Sequence, residues 1–197
     1  MKILVKICLL SIFILSKTAL SQITPTPVEA GYLYEGGYLN IRTPNSEGWD
    51  LVSNSQSGMD FARVGINKHE SFGAQVALFA LPSTETQNEF VKLIKKAIKA
   101  NTSSSRFKTL SSEYLYTEER GYQCVKVDST VKDKKTKING KKGKLLLQFI
   151  SLYCRHPVRT NTGFSATYSF RGVNLYDNLS NEANDFIKGI YVSKSEK

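Results

Sequence analysis

The feature that most constrains the fold is a pair of cysteines placed almost symmetrically about a turn signal. Cys124 and Cys154 flank Asn139-Gly140, and Asn-Gly is the dipeptide most typical of a two-residue β-hairpin turn. In such a hairpin the numbers of paired residues add to 279, whereas the two cysteine numbers add to 278. A β-bulge or a slightly longer loop absorbs an offset of one residue. The spacing therefore predicts a long hairpin closed by a disulfide, and with it an oxidising compartment.

The first twenty-one residues have the pattern of a cleavable secretory signal. A charged start and the apolar run 7–15 are followed by Ala19 and Ser21, small residues at positions −3 and −1 of a cut before Gln22. The apolar run is short for a membrane span, so cleavage is the favoured interpretation and a retained anchor is the alternative. Cleavage removes Cys8 and leaves two cysteines, an even number that suits one disulfide.

The chain is predicted to divide into three parts. Residues 1–21 are the signal, residues 22–30 are a short flexible lead-in rich in proline and threonine, and residues 31–197 form a single domain. The 176 residues after the signal are enough for one substantial core. The signal carries three lysines and no acid, so cleavage lowers the formal net charge from +10 to +7.

Two helices are predicted from apolar residues that recur on one face. The first is expected at about 83–100, with Ser83 or Thr84 as its N-cap. The second is expected at about 178–190, with Asp177 or Asn178 as its N-cap. The two apolar faces consist of Phe90, Ile94, Ala97 and Ile98, and of Leu179, Ala183, Phe186, Ile187 and Ile190.

Runs rich in β-branched and aromatic residues predict eight strands. These runs lie at 38–42, 49–52, 59–64, 75–81, 109–117, 122–131, 144–154 and 164–170. Consecutive strands without intervening helices favour antiparallel pairing. We therefore expect an α+β domain in which a curved antiparallel β-sheet is packed by the two helices.

This order of elements is similar to the PsbP-like α+β fold, in which a helix after the early strands and a C-terminal helix pack on a curved antiparallel sheet. The resemblance rests on the element order, the region from Pro44 to Trp49 and the closing helix. The segments Tyr153–Pro157 and Phe186–Gly189 also resemble segments of uncharacterised exported proteins of Gram-negative bacteria. This second resemblance implies an envelope location, periplasmic or secreted, and transfers no catalytic residue.

The hairpin tip is the most basic part of the chain. Between Lys132 and Lys144 there are seven lysines and one acid, Asp133, which gives +6 of the +7 left after cleavage. One interpretation is a basic finger that binds an anionic envelope component or an acidic protein. The other is a solvated turn whose lysines prevent edge pairing. The candidate anion-binding residues are Lys132, Lys134, Lys135, Lys137, Lys141, Lys142 and Lys144.

A second basic stripe lies on the first predicted helix, at Lys92, Lys95, Lys96 and Lys99. Acids precede these lysines along the helix, an order that the helix dipole favours without any ligand. Nucleic acid is not expected as a partner, because the hairpin tip offers no aromatic side chain for stacking and no arginine for bidentate phosphate contacts.

The chain offers little for metal binding or catalysis. Cys154 and His156 are close enough to ligate a metal or to form a nucleophile–base pair, but both roles require a free thiol and conflict with the predicted disulfide. His69, the other histidine, is distant in sequence. We predict no metal, no cofactor and no catalytic residue. The enzyme alternative that stays open is a small envelope hydrolase with His156 as its general base.

Aromatic residues near the start of the predicted domain have two interpretations. Trp49, Tyr32, Tyr34 and Tyr38 can line a groove for a glycan or a peptide, or they can pack in the core and along a sheet edge, which is favoured. The sequence thus favours a non-enzymatic exported binding domain. The alternatives are the hydrolase and a structural subunit of an envelope complex, for which exposed apolar patches would be the sign.

Overall fold

The structure is a computed structural model that describes residues 24–138 and 141–193, without the side chains of 137, 138, 141 and 142. The predicted signal and the turn dipeptide Asn139-Gly140 lie outside the described residues. The helices are α1 (Gln87–Asn101) and α2 (Leu179–Lys188). The strands are β1 (Thr26–Pro27), β2 (Leu33–Glu35), β3 (Leu39–Arg42), β4 (Asp50–Ser55), β5 (Gly58–Val64), β6 (Ser71–Ala80), β7 (Phe107–Thr117), β8 (Cys124–Asp133), β9 (Lys137–Ile138), β10 (Lys141–Lys142), β11 (Leu145–Arg155), β12 (Thr162–Gly172) and β13 (Ile190–Val192).

Eight of these strands form one large antiparallel sheet in the order β1-β4-β5-β6-β12-β11-β8-β7. A second sheet has the order β13-β3-β2, and β9 pairs with β10 beyond the long hairpin. All eight predicted strands are present, and the α+β class is confirmed. The five short strands β1, β2, β9, β10 and β13 were not predicted. β1 lies within the predicted lead-in, where Thr26 pairs with Leu51 at the sheet edge.

The two helices cover opposite faces of the large sheet. Neighbouring residues of a strand point to opposite faces, and on β11 Tyr153 packs with α1 whereas Cys154 belongs to the cluster that contains α2. α2 lies against β11 and β12 near the middle of the sheet, and α1 lies over β7 and β8 at its edge. On the face that α1 covers, a groove therefore opens over β5, β6 and β12. Within the described residues, neither helix is long and apolar enough to cross a membrane.

The apolar faces of both helices are buried as predicted. α1 begins later than expected, however, because its N-cap is Thr86 and not Ser83 or Thr84. The Thr86 hydroxyl accepts from the Glu89 backbone N–H at 3.2 Å, and the Glu89 carboxylate accepts in return from Thr86, which completes a capping box. The Arg155 guanidinium donates to the Thr84 hydroxyl at 3.0 Å, so the Thr84 side chain binds this arginine and does not cap the helix.

A polar network holds α2 on the sheet. The Glu182 carboxylate accepts hydrogen bonds from the Tyr168 hydroxyl and, at 2.7 Å, from the Tyr176 hydroxyl. The Arg63 guanidinium lies 3.4 Å from the same carboxylate and stacks 4.1 Å above the Phe72 ring. Burial and the neighbouring carboxylate raise the pKa of Tyr168. The hydrogen bonds of the Glu182 carboxylate are therefore made within the protein, and they position α2 on the sheet.

β8 and β11 form the long hairpin that the cysteine spacing predicts. Cys124 pairs directly with Cys154, and the numbers of every pair in β8 and β11 add to 278. The pairs in β9 and β10 add to 279, the value of a two-residue Asn-Gly turn. The offset of one residue that the cysteine spacing predicts arises between these two ladders. There, the three residues 134–136 lie opposite the two residues 143–144. The interpretation as an irregularity in one hairpin is confirmed.

The two cysteines form the predicted disulfide, and both are fully buried. The next pair toward the strand end is joined by a hydrogen bond from the Arg155 N–H to the Gln123 carbonyl at 2.9 Å. The cysteines therefore occupy a non-hydrogen-bonded position, where Cα atoms approach most closely. Their Cα atoms are 4.1 Å apart. The disulfide therefore links β8 to β11 and holds these two strands in register.

Candidate anion-binding end and open sheet face

Asp133 organises the base of the Lys-rich hairpin. Its buried carboxylate accepts from Arg106 Nη2 at 3.0 Å, from Arg171 Nη2 at 3.2 Å and from the Lys135 backbone N–H at 3.0 Å. Burial alone would raise the pKa of Asp133, but the hydrogen bonds from Arg106, from the Lys135 N–H and from Thr136, together with the Arg106 charge, hold that pKa below its usual range. The one acid of the hairpin therefore neutralises arginines and not lysines.

The hairpin lysines that the structure describes have no acidic partner. Every salt bridge among the described residues uses an arginine. Lys134, Lys135 and Lys144 are exposed, and Lys132 is half-buried. The Lys134 ammonium donates to the Ser104 carbonyl in the loop that follows α1. The side chains of the other three predicted residues, Lys137, Lys141 and Lys142, lie outside the described residues.

The hairpin and the C-terminal half of the helix stripe meet at one end of the large sheet, which we call the basic end. The loop between α1 and β7 reaches the hairpin through Arg106, which binds Asp133, and through the carbonyl that accepts from Lys134. Lys99 lies in the last turn of α1, just before this loop. The exposed stripe lysines are Lys92, Lys95, Lys96 and Lys99.

Two further connections reach the basic end because of the strand order. β5 ends and β6 begins there, since Val64 pairs with Ser71 and Ser71 pairs with Arg171. β12 ends there as well, so the turn 65–70 and the loop 173–178 lie at the same end as the hairpin. Together with 102–106 and 132–144, these connections carry a formal net charge of +6.

Replacing Asp133 by Asn is expected to lower the free energy of unfolding by about 2 kcal/mol at neutral pH, because two guanidinium groups lose their shared carboxylate. The folded-state pKa of Asp133 is lowered, so its contribution is complete above the unfolded pKa and is lost as the pH falls through the folded pKa. Urea denaturation at pH 7 and below pH 4 should show the difference between wild type and variant shrinking in acid. Asp128→Asn, an exposed acid on the same strand, is the control. Equal stability of the Asp133 variant and wild type at pH 7 would contradict this role.

A row of polar side chains crosses the open face of the sheet on five adjacent strands. Gln75 donates to the Asp60 carboxylate at 2.7 Å, and the Ser151 and Thr167 hydroxyls are 2.8 Å apart. Burial raises the pKa of Asp60, and hydrogen bonds oppose that shift. The row consists of Ser53, Asp60, Gln75, Thr167 and Ser151, each paired with the next.

All members of this row except the buried Ser151 line a groove of about 630 Å³. Toward the basic end the groove is bordered by Phe149 and then by Leu147, Arg106 and Arg171. Arg171 pairs with Ser71 of β6, whereas Asp60 pairs with Gln75 of the same strand. These two partners are four residues apart, so the arginine lies about 13 Å nearer to the basic end than the carboxylate does. The groove was not predicted, because no local pattern shows that these strands are neighbours.

The aromatic residues divide between the core and a smaller cavity. Trp49 is 1% exposed, and its ring packs against Phe72 and Tyr168 with centroids 6.5 Å and 5.6 Å away. The core interpretation of Trp49 is confirmed. Tyr34 and Tyr38 line a cavity of about 250 Å³ between the small sheet and β4 and β5. Tyr32 is exposed and stands edge-on to the Tyr34 ring.

His156 has a structural role in the turn after β11. Its buried ring accepts at Nδ1 from the backbone N–H groups of Val158 and Arg159, at 3.3 Å and 3.2 Å. Burial lowers the pKa of His156 against the opposing effect of the Tyr38 carbonyl. It borders neither described cavity, and His69 lies in the turn at the opposite end of the sheet. Because Nδ1 accepts both bonds, the proton of the neutral ring lies on Nε2, so neither ring nitrogen is free to take a proton from a substrate.

The comparisons with known proteins leave the family open. No protein-family model and no curated protein matches the chain. The solved structure of LpqN, described as involved in cell envelope biogenesis of Mycobacterium tuberculosis, aligns with a TM-score of 0.45 and 13% sequence identity over 86% of this chain and 91% of that chain. A similarity at this level assigns no function, and the PsbP-like resemblance stays a prediction.

Proposed function

We propose that this protein is a non-enzymatic exported binding domain whose basic end contacts an anionic component of the cell envelope. The observation that carries the proposal is the position of Asp133. Because that buried carboxylate is engaged by Arg106 and Arg171, the described hairpin lysines are left to balance charge outside the protein.

Export is supported by two independent features. The predicted signal, residues 1–21, lies outside the described residues and stays a prediction. The buried disulfide between Cys124 and Cys154 is typical of proteins from oxidising compartments. We therefore propose a periplasmic or secreted location, and a Gram-negative source would agree with the resemblance of Tyr153–Pro157.

The basic end is better suited to binding than a simple solvated turn would be. Its hairpin is tied at the base to the α1–β7 loop, because Arg106 of that loop binds Asp133. Lysines on such a supported arm keep their separation, so less entropy is lost on binding. Each lysine near an anionic surface contributes about 1 kcal/mol. These contacts are exposed and should weaken with salt.

Binding of the purified protein to vesicles tests the proposal. We expect binding to phosphatidylcholine vesicles that contain phosphatidylglycerol, no binding to pure phosphatidylcholine, and weaker binding as the ionic strength rises. Replacing Lys134 and Lys135 by Gln should weaken binding about 30-fold, because two favourable contacts are lost. Both side chains are exposed, so the free energy of unfolding should change by less than about 0.5 kcal/mol.

A matched variant separates a local surface from net charge alone. Lys92 and Lys188 are exposed and lie away from the basic end, the second at the C-terminal end of α2. Changing both to Gln removes the same charge and should weaken binding much less. An equal loss in the two variants, or binding that does not depend on salt, would contradict the proposal.

A further inference from the structure

The basic end also carries large aliphatic side chains that point into water. Ile66 is 101% exposed and Val64 is 80% exposed, at the turn between β5 and β6. Val173 and Leu175 are about half exposed in the loop between β12 and α2. Single exposed apolar residues are ordinary, but two neighbouring loops with two such residues each form an apolar surface that indicates an interaction site.

The turn that carries Ile66 is held in shape by its own hydrogen bonds. Gly65 donates its N–H to the Glu70 carbonyl at 2.9 Å, and the Asn67 side-chain amide donates to the Glu70 carboxylate at 2.7 Å. The backbone N–H of Asn67 donates to the same carboxylate at 3.2 Å. Glu70 is thus used within the turn, and Ile66 is presented at its tip with Lys68 beside it.

We infer that the basic end docks on an anionic lipid bilayer. Ile66, Val64, Val173 and Leu175 enter the interface, while the exposed hairpin lysines that the structure describes contact headgroup phosphates. A soluble polyanion or an acidic protein surface would account for the lysines but not for the exposed aliphatic side chains. A bilayer interface matches both, because apolar groups leave water there and cations remain at the level of the headgroups. The formal charge of +6 on the four connections already includes Asp177, the exposed acid in the same loop as Leu175.

This inference rests on the proposed function and names the partner of the same surface. The strand order supports it, because β5, β6 and β12 are adjacent and bring the two apolar loops together. The hairpin formed by β8 and β11 lies next to β12 in the same sheet. The lysines and the aliphatic side chains therefore lie at one end of one rigid sheet, where they can meet a single flat surface.

A double variant, Ile66→Ser with Leu175→Ser, tests the inference on the same phosphatidylglycerol vesicles. Loss of two inserted aliphatic groups should weaken vesicle binding by about tenfold or more. Binding to inorganic polyphosphate, which has no apolar phase, should stay unchanged. The matched control is Val158→Ser with Leu115→Ser, two exposed apolar residues away from the basic end, which should bind vesicles as wild type does.

Insertion can also be read from fluorescence. Ile66→Trp should show a blue shift of its emission when anionic vesicles are added and should be quenched by lipids brominated in their acyl chains. Val158→Trp should show neither effect, and the buried Trp49 gives a constant background in both. Because both positions are exposed, both variants should fold.

The outcomes distinguish this inference from the function on which it rests. If the Ile66/Leu175 variant binds vesicles as tightly as wild type and Ile66→Trp shows no blue shift, the bilayer inference is wrong. The proposed function then survives if the Lys134/Lys135 variant still loses vesicle and polyphosphate binding. If wild type binds neither vesicles nor polyphosphate, both are wrong.

Discussion

Removing the disulfide, by Cys124→Ala together with Cys154→Ala, is expected to lower the free energy of unfolding by about 3.5 kcal/mol. The cross-link joins residues 30 positions apart, and loss of the entropy of such a loop in the unfolded chain corresponds to about this amount. Alanine leaves little empty volume at the two buried positions. Urea denaturation of the oxidised protein and of the variant, followed by circular dichroism, measures the difference.

Reduction provides the control for this prediction. A reducing agent should lower the stability of wild type to that of the variant and leave the variant unchanged. If wild type and variant unfold at the same urea concentration under oxidising conditions, the disulfide does not stabilise the domain. A non-reducing mass analysis that finds two free thiols would show that the bond does not form.

Replacing Trp49 by Ala is expected to cost about 4 kcal/mol, because a large buried ring leaves a cavity that the rigid sheet cannot close. The indole packs on Phe72 and Tyr168, and the Arg63 guanidinium lies 5.2 Å from its centre. Its N–H donates to the Ser46 hydroxyl at 3.1 Å. For a domain of this size the melting temperature should fall by about 8–16 °C.

Two smaller changes separate packing from hydrogen bonding at this position. Trp49→Phe keeps an aromatic ring and should cost clearly less than Trp49→Ala. Ser46→Ala keeps the indole ring but removes the hydroxyl that accepts from the indole N–H and, at 2.7 Å, from Arg63 Nη1, and should cost about 2 kcal/mol. A Trp49→Ala variant that melts with wild type would contradict the core position and would reopen the aromatic groove as an interpretation.

Local patterns predicted the parts of the fold that depend on neighbours in sequence. The apolar residues from Phe90 to Ile98 recur with helical spacing, and their burial follows from that spacing alone. The start of α1 was missed by a few residues, because the capping-box spacing occurs twice in the sequence, from Thr84 and from Thr86, and the helix uses the second. β13 was missed because Ile190 continues the helical spacing, whereas the chain leaves α2 at Gly189 and pairs Ile190 with Ile41.

The candidate site likewise combines features that the sequence shows with features that only the folded structure shows. The seven lysines between Lys132 and Lys144 are visible in the sequence, but the use of Asp133 is not, because its arginine partners are 27 and 38 residues away. The role of His156 was equally hidden. Its closeness to Cys154 indicated possible chemistry, whereas the folded turn occupies its Nδ1 atom with two backbone donors.

The sequence by itself determined the long hairpin, its disulfide and the charge at its tip. The hairpin and the disulfide follow from the positions of Cys124 and Cys154 relative to one turn, because register within a hairpin is a local property. The charge follows from the lysines that the sequence itself shows. Only the tertiary structure decided that Ile66 and Leu175 lie at the same end as that charge. Their loops are more than a hundred residues apart in the chain and meet because β6 pairs with β12. The pairing of distant strands depends on how the whole apolar surface is buried, and no local pattern specifies it.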